Sequence, residues 1–290
     1  MKLPNKTNEE EQKKLMKHDK DLADMLSVNQ KQKEFYNETD SKKKKNLPSR
    51  IWSGFRNGLL SSYRKNFNIS NRVYDQHREW LGDLSNKKIL DLGCLRGNAL
   101  SIYMAQNAKE YIGIDLSDVG IKELQTKIDK ANCTNAKAVA VDFLSDEFSD
   151  KDFDIIYAYG VLHHFENFDV LVAKLKEKLV SGGIIISYDP LQTSLPVKIM
   201  RAAYRPFQSD KDWEWPFSKQ TIRKLYQNFQ VLDAKGVLGR SKYGVPLSLI
   251  PLGKDFKNNT IQKMIDKDWN IKKEEDIYSC MHVTMLLKNK

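Results

Sequence analysis

Three acidic residues and a pair of histidines stand at the ends of short apolar runs, at Asp91, Asp115, Asp142 and His163-His164. The first stretch, Asp91-Leu92-Gly93-Cys94-Leu95-Arg96-Gly97-Asn98, sets a carboxylate before a turn whose glycines let the backbone approach a ligand. A dinucleotide site would need GxGxxG and a pyrophosphate over the helix N-terminus. The spacing here is GxxxG, and Asp91 would repel phosphate, so the turn suits a ligand carrying positive charge. Asp115 closes the second run, where its two oxygens match the two hydroxyls of a ribose. Asp142-Phe143 follow the third, a carboxylate to accept from an exocyclic amine beside a ring that can stack on a purine. His163 and His164 follow the fourth, where an imidazole can act as a general base or simply hydrogen-bond backbone. In order, the strand ends offer an ammonium site, a ribose site, a base site and two imidazoles.

These groups meet only if parallel strands bring their carboxyl ends together. From Lys88 onward, apolar runs at 89–90, 111–114, 138–141, 155–158 and 184–186 alternate with amphipathic stretches at 99–107, 119–131 and 170–180. Strands buried on both faces and joined by helical crossovers predict a Rossmann-like, doubly wound α/β fold, a mostly parallel sheet with helices on both faces. Two further runs, 229–237 and 281–287, bring the sheet to seven strands.

The rest of the chain reads as appendages to this unit. Residues 1–45 form a basic, polar N-terminal extension, suited to a frayed or marginal helix and able to stay flexible. Residues 46–85 read as an N-terminal helical cap, and 86–290 as the main domain. Within it, 191–228 reads as an inserted lid over the substrate and 240–278 as a second insertion. The lid's Arg201, Tyr204, Arg205, Trp213 and Trp215 suit an apolar or ring-bearing acceptor with an anionic end, or alternatively pack the insertion onto the sheet.

Composition narrows the class. The 290 residues, 40% hydrophobic and 30% charged, exclude a collagenous or wholly disordered chain. No run approaches about 18 apolar residues and the first residues lack an apolar segment, so a cytoplasmic protein without a spanning helix is expected. Cys94, Cys133 and Cys280 are too scattered for a disulfide framework, and His18, His77 and His282 show no metal-ligand spacing, so thiols and no metal are expected. The net charge of +10, with a lysine run at 42–45, fits either an anionic partner or a solvated tail.

Over residues 86–190 the ordered set resembles the class I S-adenosylmethionine-dependent methyltransferases of small-molecule type. The resemblance implies a cofactor loop at Asp91, Gly93, Cys94 and Gly97, with Asp115 and Leu116 at the ribose and Asp142 and Phe143 at the adenine. It also implies that Tyr159 and Gly160 pass the methionine moiety. One departure is Leu95, which stands where the family has a middle glycine. The implied activity is methyl transfer from S-adenosylmethionine to a small-molecule or lipid-like acceptor by in-line displacement, leaving S-adenosylhomocysteine, without a metal. His164, ahead of His163, is the candidate base. Two other readings stand beside it. Net charge suggests an RNA methyltransferase, although the fourth strand lacks the Asn/Asp-Pro-Pro-aromatic signature and no separate RNA-binding module is visible. Leu95 motivates a cofactor-binding protein without catalysis.

Overall fold

Short apolar segments pair in register into one seven-stranded sheet. The computed structural model describes residues 6–38, 54, 56–208 and 211–290; the lysine run 42–45 and the side chain of Tyr204 lie outside the described residues. The strands are β1 (Lys88–Leu92), β2 (Glu110–Asp115), β3 (Ala136–Ala140), β4 (Phe153–Tyr159), β5 (Leu179–Pro190), β6 (Phe229–Val237) and β7 (His282–Asn289), in the order β3-β2-β1-β4-β5-β7-β6. The first five pair in parallel, whereas β7 runs antiparallel to both β5 and β6. The chain steps outward from β1 to β3 and then returns to the other side of β1 as β4, so a crevice opens beyond the carboxyl ends of β1 and β4.

Alternation along the strands buries both faces of this sheet. Leu90, Leu92, Ile156 and Ala158 join one core, and Ile89, Ile155 and Tyr157 join the other. The helices are α1 (Lys6–Asn37), α2 (Ser61–Asn66), α3 (Ile69–Leu81), α4 (Ser101–Asn107), α5 (Asp118–Lys130), α6 (Phe168–Lys178), α7 (Leu195–Tyr204), α8 (Lys219–Asn228), α9 (Gly244–Leu249), α10 (Lys254–Trp269) and α11 (Glu274–Ile277). Caps fix where helices start after strand tips. Ser117 Oγ accepts from the Gly120 amide at 3.1 Å to begin α5, and Asn167 Oδ1 accepts from the amides of Asp169 and Val170 to begin α6.

α2 and α3 contribute Tyr63, Ile69 and Val73 to a third apolar cluster with Val237, Val245, Ile261 and Trp269. On α3, His77 is fully buried between Tyr157 Oη at 3.1 Å and Thr284 Oγ1 at 2.6 Å. Thr284 spends its own proton on the Ser187 carbonyl, so its oxygen accepts from His77 Nε2–H and His77 Nδ1 accepts from Tyr157. The second half of α1 is also a packed element, although its composition suggests a frayed helix. Met25 sits in the core, Leu22 and Leu26 lie against it, and the polar Asn29 and Gln32 are buried. Hydrogen bonds from α1 to the sheet's loops supply what apolar side chains there do not.

Candidate active site

A cavity of about 460 Å³ lies beyond the carboxyl ends of β1 to β4, within the roughly 300–1,000 Å³ range of small-ligand sites. The turn after β1 forms one wall. Gly93 and Gly97 adopt φ of +67° and +75°, and both are tightly enclosed. A Cβ on Gly93 would stand 2.4 Å from Val161 Cγ2, and one on Gly97 2.8 Å from Leu124 Cδ1. Leu95 takes the left-handed region as well, with φ of +45°. Gly120 on α5 accommodates its side chain, since a Cβ there would be 2.8 Å from Leu95 Cδ1. The unusual leucine is thus matched by a glycine on the facing helix, and the turn keeps its course.

Asp115 and Asp142 line the same cavity from neighbouring strand tips. Asp115 Oδ2 accepts from the Leu95 amide at 2.9 Å and Oδ1 from the Ser117 amide at 2.8 Å. Burial raises its pKa above the usual carboxylate range, against the opposing effect of those amides. Asp142 Oδ1 accepts from the Leu144 amide at 2.9 Å, and Oδ2 from Asn29 Nδ2 at 2.8 Å; burial raises its pKa too. Phe143, buried beside it, meets Phe165 edge to face at 6.2 Å. Cys94 and Leu116 also line the cavity. Tyr159 completes that wall, its ring stacked between Tyr74 at 5.2 Å and Tyr188 at 4.7 Å.

Asp91 stands apart. It is buried beneath the turn and is not among the cavity's lining residues; its Oδ2 accepts from Ser101 Oγ and Tyr111 Oη, both at 2.7 Å. Burial pushes its pKa up to about 6. Ser101 Oγ in turn accepts from the Asn98 amide at 2.9 Å, so Asp91 braces the loop through its partners rather than presenting a carboxylate to the cavity.

The two histidines have different settings. His164 lines the cavity, and its Nδ1–H donates to the Trp213 carbonyl at 2.7 Å, which leaves Nε2 as the basic nitrogen. Tyr36 of α1 meets its ring edge to face at 6.3 Å. His163 is not among the lining residues. Its amide and its Nδ1 both point at Asp189 Oδ1, at 3.1 and 2.9 Å. Asp189 is fully buried, which pushes its pKa up to about 7, opposed by the His163 amide and the neighbouring imidazole of His164.

The residues predicted to grip an acceptor divide. Trp213 is buried and meets Phe35 of α1 edge to face at 5.1 Å, beside His164. Trp215 is half-buried and donates its amide to the His163 carbonyl. Arg201 and Arg205 instead line a separate cavity with Lys198, Lys211 and Lys219. Asn29, Gln32 and Tyr36 of α1, and Asp189, escaped the sequence reading. The spacing 25, 29, 32, 36 is that of one helix face, a signal hidden because two of the four residues are polar. Among the described residues no group of three His, Cys, Asp or Glu side chains could hold a metal ion.

A family model described as a methyltransferase domain matches residues 65–233. A protein of uncharacterised function from Haemophilus influenzae is 31% identical over 110 residues, 37% of this chain and 43% of its own. The chain thus spans less than half the length of that relative. A demethylmenaquinone methyltransferase of Staphylococcus aureus is 27% identical over 229 residues, covering 70% of this chain and 93% of its own. Among solved structures, a geranyl diphosphate C-methyltransferase from Streptomyces coelicolor shares the fold with a TM-score of 0.51 at 14% identity, over 76% of this chain and 77% of that one. With the family model covering more than half of its residues, the chain belongs to the methyltransferase domain family.

Proposed function

We propose that this chain transfers the methyl group of S-adenosylmethionine to a small-molecule acceptor with an apolar or ring-bearing body. The observation that carries the reading is the convergence of Asp115, Asp142 and Phe143 on one cavity under a glycine turn. The residues fit the cofactor's parts. Two carboxylates oriented by backbone amides suit hydroxyls and an amine, an aromatic wall suits a purine, and the enclosed glycines leave room for chain against chain. When bound, the cofactor supplies a methyl carbon made electrophilic by its sulfonium.

The protein's own contribution is alignment and exclusion of water. Asp115 is assigned to the ribose hydroxyls and Asp142 to the adenine amine, with Tyr159 toward the methionine portion. His164 Nε2 is assigned to take a proton from an acceptor that must lose one, a role worth about 10² to 10⁴ in rate. Asp189 is a positioning residue that holds the His163 segment through Oδ1. The name of the Staphylococcus aureus relative makes a quinone-type ring the first acceptor to assay. Three free thiols support a cytoplasmic setting.

A methyl-label transfer assay over quinone, phenol and prenyl acceptors tests the reading. Transfer by the wild type, with turnover in His164→Ala lowered about a hundredfold and cofactor affinity retained, supports it. Unchanged turnover in that variant removes the base role, and no transfer to any acceptor despite cofactor binding favours a non-catalytic protein.

A further inference from the structure

We propose that the face carrying α7 and α9 docks on the surface of an anionic lipid bilayer. Among the described residues, most of the large apolar side chains that remain exposed come from two segments. Leu195 and Ile199 on α7 are 70% and 61% exposed, and Leu249 and Phe256 from the second insertion are 67% and 63% exposed. Tyr243, Ile250 and Leu252 are exposed beside them. The two segments adjoin, because an apolar groove of about 340 Å³ is lined by Pro196, Val197 and Met200 from one and by Tyr243, Val245 and Leu249 from the other. Scattered apolar side chains are normal on a protein surface, but exposed ones that border an apolar groove, as Tyr243 and Leu249 do, mark an interaction site.

Charge selects the occupant. α7 turns Val197 inward and presents Leu195, Lys198, Ile199 and Ala202 outward, an apolar face with a cation in it. Across the same helix from the groove lies a second cavity of about 550 Å³, lined among the described residues by Lys198, Arg201, Arg205, Lys211 and Lys219 and by one acid, Glu214. Lys242 lines the groove with its ammonium donating to the Gly239 and Ser279 carbonyls, and Lys254, Asp255 and Lys257 surround Phe256 in the sequence, with Lys257 donating to the Ser248 and Ile250 carbonyls. Apolar side chains framed by lysine and arginine suit a surface whose outer layer is anionic and whose interior is hydrocarbon. An apolar protein partner would require no such frame. No helix among the described residues is long and apolar enough to cross a membrane, so the face would lie on the bilayer rather than span it. Headgroup phosphates fit the cationic cavity, and the apolar side chains enter the acyl boundary beside it.

Co-sedimentation of the full chain with vesicles of phosphatidylcholine alone, and of phosphatidylcholine mixed with phosphatidylglycerol, tests the proposal. Wild type is expected to pellet with the mixed vesicles and not with the neutral ones. Ile199→Glu/Phe256→Glu should abolish pelleting, and Lys198→Glu/Lys211→Glu should weaken it roughly twentyfold or more. Retained cofactor affinity and melting temperature show that these variants fold. Wild type that stays in the supernatant with the mixed vesicles overturns the proposal, as does equal binding to neutral vesicles or variants that pellet like wild type. A dimer in sedimentation velocity that Ile199→Glu/Phe256→Glu dissolves would assign the face to a second copy of the chain instead.

Discussion

At the scale of single residues, the turn after β1 shows how one departure is tolerated. Leu95 holds a left-handed backbone, which costs a non-glycine residue about 1 kcal/mol. Its side chain occupies the space left open by Gly120. Gly120→Ala should therefore clash in the wild-type background, and Leu95→Gly should relieve the part of that clash made by Leu95 Cδ1, while the Leu95 backbone carbon and oxygen, 3.1 and 3.2 Å from the added Cβ, still crowd it. The two changes are expected to couple by about 1 kcal/mol or more in a double-mutant cycle of thermal melts; strictly additive effects would contradict the contact.

His77 supports a prediction about pH. Burial depresses its pKa from 6.5 to about 3, so the unfolded chain binds the proton over that interval and the folded chain does not. Its contribution is complete above pH 6.5 and is lost as pH falls toward 3. The stability of wild type relative to His77→Gln should shrink by a few kcal/mol across that window. Denaturant titrations at pH 7 and pH 4 measure it, and a constant difference would contradict the neutral buried tautomer.

At the scale of elements, α1 makes the cavity enclosed. Asn29 ties the helix to Asp142, and Asn37 Oδ1 accepts from Ser117 Oγ at 2.9 Å. Lys33 pairs with Asp118 at 3.1 Å on the exposed side. Asn29→Asp would set two carboxylates against each other where one amide donor now serves, raising the pKa of Asp142 further. Amide hydrogen exchange over residues 22–37 is predicted to accelerate in Asn29→Asp and to stay near wild type in the exposed-pair variant Lys33→Ala. Equal exchange in Asn29→Asp and wild type would show that the contact does not hold the helix.

Not all elements were equally legible in the sequence. The strands announced themselves because β-branched and aromatic runs such as Ile155-Ile156-Tyr157 are buried on both faces, and the tip carboxylates followed from their positions. α1 did not, because Asn29 and Gln32 are polar residues on its buried face, and the partner of Asn29, Asp142, lies far away in sequence. Asp189 is hidden in the sequence for the same reason, since its partner His163 is on a different strand's loop. The segment 240–278 is opaque in the sequence because Asp268 organises it by accepting from the amides of Gly239, Arg240 and Ser241, a contact that no periodicity encodes.

At the scale of the whole molecule, the sheet order returns the chain to β4 beside β1, which is what lets residues as far apart as Gly93 and His164 share one crevice. β7 enters antiparallel between β5 and β6, and the segment that leads to it brings α9 against α7 at an apolar groove. The proposed methyl transfer requires that the carboxylates of adjacent strand tips grip a single nucleoside. Titration calorimetry with S-adenosylhomocysteine on wild type, Asp115→Ala and Asp142→Ala tests that requirement. Each variant should bind at least about tenfold more weakly than wild type, the loss expected when a charged hydrogen-bond partner is removed. Wild-type affinity in both variants, with their folds intact, would contradict it.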